Sequence, residues 1–303
     1  MKIMSASKAS PSAGHPFQLV PASRFTIEEL TRAYNQTRVD YMIPMPMNVI
    51  RLTEYIQVYD VDLQQSLVAL SSDQILGLGM LGLRPGRTWI TRLGVLPVKR
   101  RQGVGRALMD ALLVNSENLS TDVTTLEVIK NNIPAYNLFV NTGFKDTGEL
   151  LVLRRPPGPP PHPPSGEPRW LERAEALALL NMRHGPQSWI TETASLAHAE
   201  DMLGLAITLA DGSRGWLVFQ QQKFRMFSVS LSRLSIHTER GDAVRVGRGL
   251  LAHLHERYPS LDTHTENLPV DDPHLPAFFE TGYLESFRRI EMYRPSARNR
   301  HPA

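Results

Sequence analysis

The segment Trp89–Met109, WITRLGVLPVKRRQGVGRALM, holds the residues whose types and spacing carry the clearest chemistry. An apolar strand ends at Val95-Leu96, Pro97 breaks it, and a basic, glycine-containing turn opens a helix. Gly103 and Gly105 have no Cβ, so a ligand can approach the main chain there. The free N–H groups of a helix start, together with the helix dipole, make an anion site. Lys99, Arg100, Arg101 and Arg106 surround it with positive charge. The spacing describes a pyrophosphate cradle; the plainer alternative is a tight strand-to-helix turn with a solvated basic rim. A Walker-type phosphate loop does not fit, because no Gly-Lys-Ser/Thr follows at the required distance. A dinucleotide fingerprint fails too: the residue three after Gly105 is Leu108, and this strand is about the fourth of the chain.

The elements that must position this turn occur twice. Arg92-Leu93 is echoed by Arg233-Leu234, VGRAL at Val104–Leu108 by VGRGL at Val246–Leu250, and Phe139…Thr142-Gly143-Phe144 by Phe278…Thr281-Gly282-Tyr283. Each copy closes on Arg-Pro, 13 residues after its glycine, at Pro156 and Pro295. Four matches in order indicate a duplication. Between the copies lies Pro156–Pro168, with eight prolines in 13 residues, a composition suited to an extended linker. The expected layout is residues 1–15 as a disordered start, 16–155 and 169–295 as two domains, 156–168 as linker and 296–303 as tail.

In the first half the pattern predicts a strand at Gln18–Pro21 and a helix over Ile27–Gln36 capped by Thr26, then a helix over Asn48–Tyr59. Strands follow at Ser66–Ser71, Ile75–Leu83 and Thr88–Leu96, a helix at Gly103–Asn115, a strand at Thr124–Lys130, a helix at Pro134–Thr142, and closing strands to Arg155. The second half predicts strands at Leu205–Leu209, Trp216–Gln221 and Arg225–Ile236, a helix at Ala243–Arg257, a strand at Asp262–Glu266, a helix at Pro276–Glu280 and closing strands from Tyr283. Sheet-then-helix units of this kind give a layered α/β (α+β) fold, each domain a mixed, mostly antiparallel sheet flanked by helices.

Composition narrows the function. With 42% hydrophobic and 21% charged residues in 303, the chain is expected to fold around a real core. The absence of cysteine excludes disulfides, thiolate zinc sites and a cysteine nucleophile. A formal charge of +3 shows no global basic excess, so no nucleic-acid partner is expected. No secretory leader or apolar run of membrane-helix length is read, so the expectation is a cytoplasmic protein with no membrane partner. His253 and His255 stand two apart on a helix, and His264 and His274 are isolated, so no metal site is expected.

Val95-x-Pro97-x-x-Arg100-x-x-Gly103-x-Gly105-Arg106-x-Leu108 resembles the acetyl-CoA loop of GNAT-type N-acetyltransferases. Asn132-Ile-Pro134-Ala135-Tyr-Asn-Leu138-Phe139-Val-Asn-Thr-Gly143-Phe144 resembles a second segment of that family. The resemblance covers residues 16–155 and implies acetyl-CoA as acetyl donor. It implies that main-chain amides from Arg101 to Arg106, thus Arg101, Gln102, Gly103, Val104, Gly105 and Arg106, bind the pyrophosphate, with Arg100 beside them. It also implies that Leu93–Val95 pairs with the pantetheine arm between the splayed strands 88–96 and 124–130, and that Asn132 contacts the pantetheine side. A neutral amine would attack the thioester directly, with the Val95 N–H as candidate oxyanion donor.

The family's frequent acid, a tyrosine, is replaced by Phe139, still expected on the cofactor side; Tyr136, three residues earlier, is the candidate substitute, against a packing role. Glu127 is the candidate base, with Asp40 and Tyr41 as further options. The segment Tyr41–Met47 would line the acceptor side or pack in the core. In the second copy, Arg245 takes the place of Gly103, Asp242 that of Arg100 and Asp271 that of Asn132, so this copy reads as a degenerate GNAT-like domain. The expected activity is transfer of acetyl to a primary amine in the first domain. Rivals are a non-catalytic acyl-CoA-binding or regulatory protein and a basic-loop nucleotide binder.

Overall fold

The computed structural model describes residues 16–224 and 228–297. The expected disordered start 1–15, residues 298–303 of the expected tail 296–303, and residues 225–227 of the expected strand 225–236 lie outside the described residues. The chain forms two compact units. One takes in residues up to Ile56, Val61–Thr124 and Pro295 onward; the other takes in Gln57–Asp60 and Thr125–Arg294. Ser296, which begins the expected tail, is buried, and its N–H donates to the Asp122 carbonyl at 2.9 Å.

The first unit holds β1 (Gln18–Pro21), α1 (Ile27–Gln36), α2 (Val49–Val58, which runs past the boundary), β2 (Leu67–Ser71), β3 (Gln74–Arg84), β4 (Arg87–Val95) and α3 (Val104–Asn118). Its strands pair antiparallel in the order β1-β2-β3-β4. Helix α1 begins where the sequence requires: Thr26 Oγ1 accepts from the Glu29 N–H, and the Glu29 carboxylate accepts from the Thr26 N–H. Helix α3 buries Val104, Leu108, Met109, Leu112 and Leu113. It lies close against β3 because Gly77 and Gly79 have no side chain; a Cβ on Gly79 would meet Leu112 at 2.7 Å. Along β4, Gly94 faces Leu78 and Thr91 faces Met80, so Arg92 and Leu93 form a bulge, with Arg92 at φ +54°. The second repeat bulges at the same echo, between Ser232 and Ser235, with Arg233 at φ +53°.

The second unit holds β5 (Val123–Ile129), α4 (Ile133–Val140), β6 (Lys145–Arg155), β7 (Glu167–Leu171), α5 (Arg173–Leu180), α6 (Thr193–His198), β8 (Met202–Thr208), β9 (Arg214–Phe224), β10 (Ser228–Arg240), α7 (Ala243–Arg257), β11 (Asp262–Pro269), α8 (Leu275–Glu280) and β12 (Leu284–Pro295). The strand order is β5-β12-β6-β11-β10-β9-β8-β7, with β10 and β11 parallel. Leu151, Leu153, Leu217, Phe219, Leu231, Leu250, Phe278 and Tyr283 fill its core. Each closing element is one long strand rather than several, and the repeats exchange them. The first repeat's β6 pairs antiparallel with β11 of the second, and β12 of the second lies next to β5 of the first.

The arginine that ends β6 locks this exchange. Arg155 is buried, and its guanidinium donates to the carbonyls of Thr281, Pro156, Gly158 and Pro159. It thereby fixes the proline-rich segment, which is neither helix nor strand until β7 begins at Glu167. Sequence periodicity gave no elements for residues 167–200. There the N-cap of α5, Glu172, makes no side-chain cap, and the helix's Arg-Ala-Glu-Ala-Leu-Ala-Leu-Leu run shows little facial contrast. Replacing Arg155 by alanine strips charged donors from several carbonyls at once. We expect a loss of about 3 kcal/mol, seen in calorimetry as a melting temperature lower by roughly 6–12 °C; an unchanged melt contradicts the lock.

Candidate functional site

The end of β4 and the start of α3 are built by main-chain geometry. The Leu96 N–H donates to the Leu76 carbonyl at 2.8 Å, and Val95 faces Gly77. Hydrogen-bonded and non-bonded pairs alternate along an antiparallel ladder, so Val95 turns its N–H and C=O away from β3. That carbonyl accepts from Arg100 Nε at 3.2 Å. Arg100 also holds both Asp40 carboxylate oxygens, each at 2.7 Å, and the Thr37 carbonyl at 3.1 Å. One guanidinium therefore ties the turn to the end of β4 and to the chain leaving α1. The hydrogen bonds from Arg100 hold the Asp40 carboxyl below the usual carboxylate range, which makes Asp40 a weak proton acceptor.

Beyond Arg100 the chain turns left-handed at Arg101 (φ +60°) and Gly103 (φ +84°), and Gly103 is the N-cap of α3. No side chain caps this helix and no acid occupies its first turn. The first intrahelical bond runs from the Ala107 N–H to the Gly103 carbonyl at 2.9 Å, so the amides of Val104, Gly105 and Arg106 belong to the turn that has no helical acceptors. Arg101, Gln102, Gly103 and Arg106 are exposed, while the Val104 side chain is buried. Gln102 bonds back to the Val98 carbonyl, and Arg106 pairs with Asp110 along the helix. Open amides beside exposed cations fit a pyrophosphate.

Four further residues expected at the site lie in the second unit. Glu127, on β5, accepts a hydrogen bond from Asn267 Nδ2 at 3.2 Å. Asn132 is the N-cap of α4, its side chain accepting from the Ala135 N–H. The Tyr136 hydroxyl donates to Asp146 at 3.2 Å, which raises the phenol pKa above its usual value. Phe139 is buried, its ring 6.2 Å from that of Phe144.

In the second repeat the corresponding helix start is closed. Helix α7 begins at Ala243, one turn earlier relative to the shared Val-Gly-Arg than α3 does. Its N-cap Asp242 accepts from the Arg245 N–H at 2.8 Å, and the Arg245 side chain pairs with Asp211. Gly247, the match of Gly105, has a packing reason instead: a Cβ there would come within 3.0 Å of Ala277 on α8.

The sequence did not single out the cluster beneath the β4 bulge. The Arg92 guanidinium lies 4.1 Å over the Tyr55 ring and donates to the Tyr34 hydroxyl at 3.1 Å. Arg38 lies 4.3 Å over the Tyr34 ring and donates to the Leu93 carbonyl at 3.2 Å. The available signals were Tyr34, Arg38 and Tyr41 at helical spacing, and the repeated Arg-Leu pair. Among the described residues no group of three or more His, Asp or Glu stands close enough to hold a metal ion, and no helix is long and apolar enough to cross a membrane.

Residues 28–144 match the Acetyltransferase (GNAT) family. No curated protein matches the chain at a significant level. Among solved structures, the chain is similar to a GCN5-related N-acetyltransferase from Sphaerobacter thermophilus, with a TM-score of 0.68 at 13% identity over 94% of this chain and 97% of that one. It is also similar to a tandem GNAT protein from the clavulanic acid biosynthesis pathway, with a TM-score of 0.66 at 13% identity over 95% and 99% of the two chains. The fold is thus shared with a tandem GNAT protein, and residues 28–144 match the GNAT acetyltransferase family.

Proposed function

We propose that this protein transfers an acetyl group from acetyl-CoA to a primary amine, and that the site belongs to the first repeat, residues 16–155. The observation that carries the proposal is the pair of helix starts: α3 presents uncapped amides behind a left-handed glycine, whereas Asp242 caps α7. The second repeat, residues 169–295, keeps the fold without the cofactor loop.

Acetyl-CoA supplies the acetyl group as a thioester, already activated toward amines. The amides from Arg101 to Arg106 hold its pyrophosphate, and Arg101 and Arg106 add exposed charge; Arg100, paired with Asp40, acts by fixing the turn. Leu93 and Val95 offer main-chain groups to the pantetheine arm. The Val95 N–H, turned away from β3, takes the negative charge developing on the acyl oxygen. Glu127 is the proposed base that relieves the acceptor ammonium of its proton. Tyr136 stays protonated throughout the working pH range, since its bond to Asp146 raises its pKa, and is the proposed donor to the departing thiolate. Asn132 shapes the start of α4 near these groups in sequence. Phe139 supports α4 from the core. The lack of cysteine fits a reducing compartment, in keeping with a cytoplasmic protein.

Gly103→Val tests the cradle. A β-branched residue is strained at φ +84° and places bulk over the amides. Loss of one or two charge-assisted hydrogen bonds, at about 1.5–3 kcal/mol each, raises the acetyl-CoA dissociation constant at least about tenfold. Calorimetry showing unchanged affinity overturns the assignment. A panel of primary amines should release CoA with the native chain; binding of acetyl-CoA without release by any amine would favour a non-catalytic carrier. For the acid, Tyr136→Phe lowers turnover by about tenfold or more, given the 10²–10⁴ typical of proton transfer, and equal rates at every pH remove Tyr136 from the mechanism. Phe139→Tyr does not rescue that loss. It buries a hydroxyl beside Phe144, costing about 1–2 kcal/mol, and lowers the melting temperature by a few degrees.

A further inference from the structure

Among the described residues, Arg38 is a cation without a counter-ion. It is partly buried at the end of α1, between the rings of Tyr34 (4.3 Å) and Tyr41 (5.5 Å). Its Nη1 donates to Thr37 Oγ1 and its Nη2 to the Leu93 carbonyl, which leaves three of its five N–H groups with no acceptor among the described residues. The acid two positions on, Asp40, gives both oxygens to Arg100. A second guanidinium, Arg92, shares the Tyr34 ring at 5.4 Å. Burial and the nearby Arg92 charge both lower the Arg38 pKa, so the place is unfavourable for a lone cation and favourable for one joined by an anion.

The second repeat places an arginine with a fuller set of partners at this point. Arg183 follows α5 as Arg38 follows α1, and reaches Ser235 beside the second bulge as Arg38 reaches Leu93. Yet Arg183 is satisfied within the chain by Gln187, Ser235 and Thr193. Arg38 has no such set.

Resting on the acetyl-transfer proposal above, we propose that the acceptor amine carries a carboxylate, and that the open edge of the Arg38 guanidinium receives it. A planar fork of N–H groups matches a carboxylate in a bidentate pair. Geometry also bounds the acceptor's size. Arg38 stands on the Leu93 carbonyl, and Val95 lies two residues on, about 7 Å along a strand. A carboxylate on Arg38 and an amine near Val95 are therefore separated by a few bonds, as in a small amino acid. The chain Met45–Met47, pinned by the Tyr34 hydroxyl and by Asn35, walls the same cluster.

The test compares glycine, β-alanine, 4-aminobutyrate and L-glutamate with their matched amides, by calorimetric binding and by CoA release, on the full chain. We expect at least one acid to bind about tenfold or more tightly than its amide. Arg38→Gln should abolish that preference, and Arg38→Lys should keep only part of it. Amides binding as well as acids throughout, no binding by any member, tighter binding of O-phosphoethanolamine than of β-alanine, or a preference that survives Arg38→Gln would each overturn the inference. If Arg38→Gln does not fold, the acid–amide comparison on the native chain and on Arg38→Lys decides. An Arg38-dependent acid preference in binding, without CoA release by any amine, upholds this inference and sinks the acetyl-transfer proposal instead.

Discussion

The guanidinium of Arg100 joins three pieces of chain: the Val95 carbonyl at the end of β4, the Thr37 carbonyl at the end of α1, and Asp40 beyond it. The turn that follows can hold two left-handed residues, Arg101 and Gly103 with one residue between, because its entry point is fixed from three sides. A partly exposed ion pair is worth little as stabilisation. Its value here is positional: it sets where the open amides of α3 point, and where Val95 stands relative to them.

The two repeats show how a duplicated scaffold separates folding from binding. Both keep the bulge at Arg-Leu, both keep the left-handed glycine after the short helix, at Gly143 and Gly282, and both end on a long strand. Those features serve packing and strand exchange. What differs is the helix start. The start of α3 has no side-chain cap, whereas an extra turn of helix and one aspartate make the start of α7 self-capped.

Much of this was legible in the sequence. The bounds of α1 and α7 follow from Thr26 and from the apolar stripe of Ala243–Arg257, and the glycine-basic turn announced the start of α3. Four things were not legible. The strand exchange depends on pairings more than 100 residues apart, such as Thr263 with Arg155, which no local pattern encodes. Residues 167–200 hide α5 and α6 behind weak caps. Arg100 looked like a phosphate ligand because the sequence could not show that Asp40, 60 residues away, already holds its charge. Arg38 was missed for the same reason: its lack of a counter-ion among the described residues is a property of space, not of spacing.

The central claim is that one helix start in this molecule is open to a diphosphate and its duplicate is not. Isothermal titration of the intact chain with acetyl-CoA measures this directly, because stoichiometry does not depend on knowing the acceptor. The account predicts saturation at one acetyl-CoA per chain. Two sites of similar affinity per chain would contradict it, since the Asp242 cap would then have failed to close the second.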